Sequence, residues 1–498
     1  MRIAPSITRP QRLITLGVMF SLFMAAMETT VVATAMPTIV AHLGGLDVYS
    51  WVFSAYLVAS TTVVPVVGKL SDAVGRKPLW AGAMALFLAG SVLCGQATSM
   101  GALIGFRVVQ GLGAGGIMTL SFIIVGALFS FEQRARMQGV FASVWGFASI
   151  VGPLLGGFLV DQVSWRWIFY INVLPGLAAT ALIWTVWVDE RRAAGGPPID
   201  YAGFGVLTAT VLALLLGLFQ LRAPAGAALV AGAAGLLAAL VWIERRAADP
   251  VLPVRLFRDR LFTVAVGHGF LSGVALFGSF AFVPLFVQAV LGTTATGAGA
   301  TITPIMLGWV LAAIVGSRLL LRLHYRTLAL AGMASLSAGA LLMTAVDAGA
   351  SRAALAANLA LMGIGMGLSV PTLLIAVQTT APRADLGTAT SMLQFSRSVG
   401  GAVGVSVMGV VLSARLAGIL RSAGVDAAAV SLDRLMDPLS RSAATTGTLD
   451  ALLRQALAGG VRAVFVISAA AALAALAAVA LAPKVGLAQA IQRAQRTR

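Results

Sequence analysis

The chain has 498 residues, of which 59% are hydrophobic and only 10% charged, against about 25% charged in ordinary soluble domains; its mean hydropathy is +0.95. That excludes a soluble enzyme, a disordered tail protein and a secreted disulfide scaffold, and Cys94, the one cysteine, leaves no disulfide or thiolate-metal framework. Lys and Arg total 34 against 17 Asp and Glu, a net charge of +17, which keeps nucleic acid open as a partner until the cations are located along the chain.

A spanning helix needs about 20 mostly apolar residues. Breaking the chain at charged, Gly/Pro and polar clusters predicts fourteen such stretches, near 13–35, 50–67, 79–98, 101–128, 137–160, 168–188, 202–221, 225–243, 262–290, 300–317, 327–346, 353–378, 393–414 and 462–482. The runs are continuous rather than alternating, which excludes a transmembrane β-barrel and predicts an all-α integral membrane protein. Loops are short except for 415–461 between the last two spans. The first stretch follows Arg2, Arg9 and Arg12 and contains Ala33-Thr34-Ala35, a signal-peptide pattern, but its length and Glu28 favour a retained span.

With the N-terminus in the cytoplasm and sides alternating, 23 of the 34 cations fall inside. Three (Arg166, Arg222 and Arg352) fall in short outside loops, six in 415–461, and two, Arg107 and Arg397, within spans. By the positive-inside rule this bias predicts both termini in the cytoplasm and an even number of spans, fourteen or, as the runner-up, twelve with two stretches misread. The basic excess is thus an insertion signal. No basic domain remains to bind nucleic acid, and the partner implied is membrane lipid.

Spans 2 and 3 are joined by Gly68-Lys69-Leu70-Ser71-Asp72-Ala73-Val74-Gly75-Arg76-Lys77-Pro78. Its glycines permit a tight turn and close helix approach, Asp72 is placed to cap a helix or pair across an interface, and Arg76 and Lys77 suit the anionic inner leaflet. Span 4 carries Arg107-Val108-Val109-Gln110-Gly111-Leu112-Gly113-Ala114-Gly115, and span 5 carries Gly152-Pro153-Leu154-Leu155-Gly156-Gly157. Taken alone, the latter is also a small-residue packing face.

In order and spacing these motifs resemble the major facilitator superfamily. The loop resembles its signature between spans 2 and 3, with Ala73 where Arg or Lys is usual. Span 4 resembles its R-x-x-Q-G-x-G pattern, and Gly152-Pro153 with Gly156-Gly157 resembles its antiporter motif, with Ala148 in place of a glycine. Glu28-Thr29-Thr30-Val31-Val32-Ala33-Thr34-Ala35-Met36-Pro37 resembles span 1 of the fourteen-span drug:proton antiporters (EmrB/QacA type), with Glu for the usual Asp and Ala33 for a usual Asn. Trp165–Asn172, Pro284–Gln288 with Gly292, and Gln394–Gly401 resemble the same branch.

A charge inside the bilayer costs about 2.5–3.5 kcal/mol on insertion scales, so buried ionisable groups are functional candidates. Glu28 is the acid inside a span, fifteen residues past Leu13. It reads either as a proton-loading carboxyl or as an acid at a helix end in the outer headgroups. Arg107, in the outer third of span 4, either faces the glycines at 111, 113 and 115 or snorkels outward. Arg397, one turn into span 13, divides in the same way between a cavity and the inner leaflet. His268 reads as a neutral packing histidine more than a proton carrier. Gln110, Trp145, Gln288, Gln394 and Arg397 are candidate cavity-lining residues.

The resemblance implies a major facilitator fold of fourteen transmembrane helices: a six-helix bundle over 1–190, an inserted helix pair over 191–244, and a second six-helix bundle over 245–498 that includes loop 415–461. It implies proton coupling at Glu28 and Arg107, an inter-bundle gate at Gly68, Asp72, Gly75, Arg76 and Lys77, and an antiporter element at Gly152, Pro153, Gly156 and Gly157. The implied function is proton-coupled efflux of amphipathic, often cationic compounds from the inner (plasma) membrane by alternating access, with no cofactor beyond the proton gradient. Export of a lipid, siderophore or endogenous metabolite is the alternative. A periplasmic adaptor or lipoprotein is a candidate partner for loop 415–461. No nucleophile elbow, H-E-x-x-H or P-loop supports an enzyme or an ATP-driven pump.

Overall fold

In lipid every backbone N–H and C=O must be satisfied within its own segment, and the apolar stretches fold accordingly as helices. The computed structural model describes residues 8–43, 51–187, 200–220, 223–247, 250, 254–293, 295–347, 349–422 and 447–484, with no strand among them. The first group of helices is α1 (Arg9–Leu43), α2 (Trp51–Ala73), α3 (Arg76–Gly95), α4 (Met100–Leu128), α5 (Phe131–Gln162), the short α6 (Trp167–Tyr170) and α7 (Val173–Val186). Then come α8 (Tyr201–Phe219) and α9 (Pro224–Glu244). The last group is α10 (Arg260–Leu285), α11 (Ala295–Leu319), α12 (Tyr325–Met343), α13 (Arg352–Thr380), α14 (Leu386–Ser422) and α15 (Gly447–Ala480).

Polar residues at the boundaries start these helices. Ser99 accepts from Ala102 N–H at α4, Ser130 and Gln133 form a reciprocal capping box at α5, and Asp259 accepts from Leu261 and Phe262 N–H at α10. Each satisfies donors that the first turn leaves without intrahelical partners. Pro284 removes a donor near the end of α10, and the helix continues as a π-helical turn, Phe286–Val290.

Among the described residues twelve helices are long and apolar enough to cross a membrane, rather than the fourteen expected. The other two expected stretches are also helical: α5 runs unbroken over Phe131–Gln162, with several of its side chains outside the described residues, and α8 contributes the shorter apolar run Ala202–Leu218. The long loop expected over 415–461 is also corrected. Its Ala- and Leu-rich flanks prolong the helices on either side, to Ser422 and from Gly447, so only 423–446 lie outside the described residues.

In the first group α4 packs on α2 and α3, and α1 on α5 and α7; in the last, α13 packs on α11 and α12, and α10 on α14 and α15. The helices α8 and α9 pack on each other, and α8 leans on α2 and α14. The two groups meet along α2 with α14 and α5 with α11.

Glycines bring these helices close. A Cβ on Gly111 would lie 2.6 Å from the Tyr56 carbonyl oxygen on α2, and one on Gly113 would lie 2.6 Å from Phe87 Cα on α3. Gly115 faces α2 again, at Ser60. The same device recurs on α13: Gly363 and Gly367 abut Ile305 and Trp309 of α11, while Gly365 abuts Gly332 of α12. Alternate glycines thus let one central helix touch two neighbours at backbone distance, once in each bundle.

Gly113→Ala is expected to lower stability by about 1–3 kcal/mol, since overpacking forces the backbones apart. Gly105→Ala, on the same helix with nothing within 4 Å of the added Cβ, is expected to leave stability unchanged or slightly raised. Thermal unfolding of both variants in nanodiscs checks the contrast.

Candidate functional site: a buried ion pair and an inter-bundle latch

Packing α4 against α2 and α3 fixes where its polar residues point. Arg107 and Gln110 lie one turn apart on α4 and are 1% and 0% exposed. Glu28 reaches them from α1, and Arg107 Nη1 donates to Glu28 Oε1 at 2.5 Å, with both side chains 1% exposed. Arg107 also donates from Nη1 to Gln110 Oε1 at 2.7 Å and from Nε to the Val52 carbonyl at 3.2 Å, and its guanidinium stands 4.1 Å from the centre of the Tyr56 ring. On the other side of the carboxylate, Asn172 Nδ2, from the turn between α6 and α7, donates to Glu28 Oε2 at 2.7 Å. Gln110 Nε2 donates to Ser91 Oγ at 2.7 Å.

Every member of this ring belongs to the first bundle. The helix-end reading of Glu28 is overturned: it lies nineteen residues after the start of α1 and fifteen before its end, about 28 Å and about 22 Å along the axis. Snorkelling of Arg107 is overturned too, because its charge is neutralised where it stands. A pair in low dielectric is tolerable when its remaining donors and acceptors are met, and Val52, Tyr56, Gln110 and Asn172 largely meet them. One atom is left over. Asn172 Oδ1 is buried with no hydrogen-bond partner among the described residues.

A second constellation joins the bundles. Asp72, at the last turn of α2, is 6% exposed. Its Oδ1 accepts from Gly387 N–H at 2.9 Å, and its Oδ2 accepts from Thr388 N–H at 2.8 Å and from Thr388 Oγ1 at 3.0 Å. The carboxylate therefore caps the N-terminus of α14 across the interface, where the helix dipole favours an anion. Close approach is required: a Cβ on Gly68 would lie 2.5 Å from Ser391 Cβ, and one on Gly387 would lie 2.7 Å from Asp72 Oδ1. Gly75 has φ 107°, a conformation that glycine alone adopts without strain.

Two further bonds reinforce the same end. Arg134 Nη1 donates to the Gln378 carbonyl at 3.0 Å, and Gln378 Nε2 donates to the Phe122 carbonyl at 3.2 Å. Lys77 instead turns into its own bundle, donating to the Trp187 carbonyl at 2.7 Å and standing 4.9 Å from the Trp184 ring centre. Arg76 begins α3.

Other expected residues are scattered. Gly152 and Gly156 are buried on α5, a Cβ on Gly157 would meet nothing within 4 Å, and the side chain of Pro153 lies outside the described residues. Trp145 is half-buried on α5; Gln288 sits in the π-helical turn, its side chain also outside the described residues. Gln394 and Arg397 lie on α14 in the second bundle, away from Glu28. Arg397 is eleven residues into α14, about 16 Å along the axis. The residues that sequence reasoning missed are neutral or distant: Tyr56, Ser91, Arg134, Gln378 and Thr388. Asn172 stood inside a recognised motif but without a role.

The sequence profile described as Major Facilitator Superfamily matches residues 18–405. The chain is 36% identical over 415 residues to a protein of Bacillus subtilis (strain 168) named multidrug transporter protein MdtP, covering 81% of this chain and 76% of that protein. It is 35% identical over 407 residues to multidrug resistance protein 3 of the same organism, covering 80% and 79%. In fold it resembles the crystal structure of the human organic anion transporter MFSD10 (TETRAN), with a TM-score of 0.62 at 16% identity over 93% of this chain and 100% of that one.

Glu28→Gln and Arg107→Gln are each expected to destabilise the protein by about 3–5 kcal/mol, because each strands the partner's buried charge. The double variant is expected to cost clearly less than the two together. Thermal unfolding of the four proteins, as a double-mutant cycle, checks this.

Proposed function

The chain belongs to the Major Facilitator Superfamily, whose proteins are transporters rather than enzymes, and we propose that it is a proton-coupled multidrug efflux antiporter of the inner (plasma) membrane. It would export amphipathic, often cationic compounds by alternating access, the movement of two bundles about a central path. The names of its bacterial relatives support drug export. The observation that carries proton coupling is Glu28, a carboxylate held deep inside the first bundle by a cation it can lose and an amide that can turn.

With Glu28 ionised, Arg107 and Asn172 both donate to it. Protonation removes the attraction that holds Arg107 and gives Glu28 a hydrogen to donate. Asn172 Oδ1, buried and without a partner, is the acceptor at hand: rotating the amide exchanges Nδ2 for Oδ1 opposite Glu28, so one side chain serves both charge states. Released Arg107 keeps Val52 and Gln110 as acceptors. A proton arriving from outside would in this way loosen the ring and release the compound, and its departure inside would restore the pair for loading.

In this reading α5 and α8 cross the membrane together with the other twelve helices, giving fourteen spans and placing both termini in the cytoplasm. The end carrying Asp72, Arg134 and Gln378 is then the inner face, latched shut. Opening inward requires Asp72 to leave the amides of Gly387 and Thr388.

In proteoliposomes under an imposed pH gradient, the wild-type protein is expected to move a fluorescent amphipathic cation against its gradient with counterflow of protons. Glu28→Gln is expected to bind the compound but lose gradient-driven transport; wild-type rates of substrate-coupled proton movement in that variant would remove Glu28 from the mechanism. Asp72→Asn, which weakens the charge-assisted cap of α14, is expected to raise the inward-open population, read as longer spin-label distances between α2 and α14 at their latched ends.

A further inference from the structure

The second bundle contains a partly buried charged group that the ion-pair mechanism does not use. Arg397 on α14 donates from Nη2 to Gln394 Oε1 on its own helix. Among the described residues it has no carboxylate partner. The acids that approach this part of α14 are engaged elsewhere: Asp385 with Arg255 at 2.7 Å, and Asp72 with the amides of Gly387 and Thr388.

The side chain borders a small cavity of about 20 Å³, lined by His268, Gln394 and Arg397 together with Val370, Leu373 and Leu374. That is room for one or two water-sized particles. His268 is 2% exposed, and its Nε2 has no hydrogen-bond partner among the described residues. Beside the cavity α10 and α14 touch at backbone level. A Cβ on Gly273 would lie 3.0 Å from Gly401 N, and one on Gly269 would lie 3.3 Å from the Leu393 carbonyl oxygen.

A partly buried cation without an anion is costly, and the cavity offers it, beside the unpartnered His268 Nε2, a space the size of one small ion. We propose that Arg397, Gln394 and His268 form a binding site for a single small monoanion. Arg397 supplies the charge, Gln394 Nε2 a neutral donor, and His268 a hydrogen bond from the Nε2 tautomer. The anion is either a halide resident as a counter-ion or a carboxylate group entering from a bound compound. This site lies in the bundle opposite Glu28 and stands whether or not the chain exports drugs.

Binding to the folded state alone raises the unfolding midpoint with ligand concentration. The full-length protein in nanodiscs is melted while sodium methanesulfonate is replaced stepwise by sodium chloride or by sodium formate at constant total salt. An upward shift of a few degrees that saturates is expected in at least one series: saturation in chloride identifies a halide, saturation in formate alone a carboxylate. The shift is expected to vanish in Arg397→Gln and to persist, with saturation at higher concentration, in Arg397→Lys, which keeps the charge if the first variant does not fold. Arg421→Gln, at an exposed position whose side chain donates to Ala417 on the same helix, is expected to behave as wild type. A flat response in both series, or a shift that survives Arg397→Gln, overturns the proposal.

Discussion

One ion pair sets the terms for the first bundle. Glu28 and Arg107 are both removed from water, and an unpaired charge of either kind is costly there. Each surrounding feature can be read as a condition for keeping the pair. Tyr56 covers the guanidinium face, Val52 and Gln110 accept its remaining hydrogens, and Asn172 occupies the free carboxylate oxygen. These partners come from α2, α4 and the turn before α7, so the pair also requires α4 to sit at backbone distance from α2 and α3. The alternating glycines at 111, 113 and 115 satisfy that requirement.

The pair connects to the rest of the molecule through α2. Tyr56 lies near one end of that helix, against Arg107; Asp72 lies at the other, against α14. A change in the charge of Glu28 is felt first by Arg107, then by the ring and helix beside it. The helix whose far end latches the second bundle is the same one. In the proposed mechanism α2 would be the packed, rigid element that carries the coupling, biased by two arrangements of the polar ring. The second bundle repeats the glycine device on α13 but not the ion pair. In its place it has Arg397, a cation that lacks a carboxylate among the described residues.

Much of the helical layout is legible in the sequence because continuous apolar runs leave few alternatives. Helix ends are less so. The run at 131–162 opens with charges, and the Ala- and Leu-rich flanks of 415–461 continue as helix because intrahelical bonding does not stop at the edge of the lipid. Glu28 and Arg107 stand out individually as charges in apolar runs, but they are 79 positions apart, and nothing in spacing or periodicity couples them. Ser91, Tyr56 and Asn172 carry no charge and blend into their helices. The partners of Asp72 are 315 and 316 positions away and are backbone amides, which any residue type would supply. Such contacts become visible only when topology places one helix end against another.

The account rests on Glu28 changing its protonation state within the cycle. Infrared difference spectroscopy on the reconstituted protein reads this directly, comparing acid and neutral pH with and without transported compound. The prediction is a protonated-carboxyl stretch at acid pH that diminishes when compound is bound and is absent from Glu28→Gln. A spectrum in which that stretch never appears, or persists unchanged in Glu28→Gln, would contradict it.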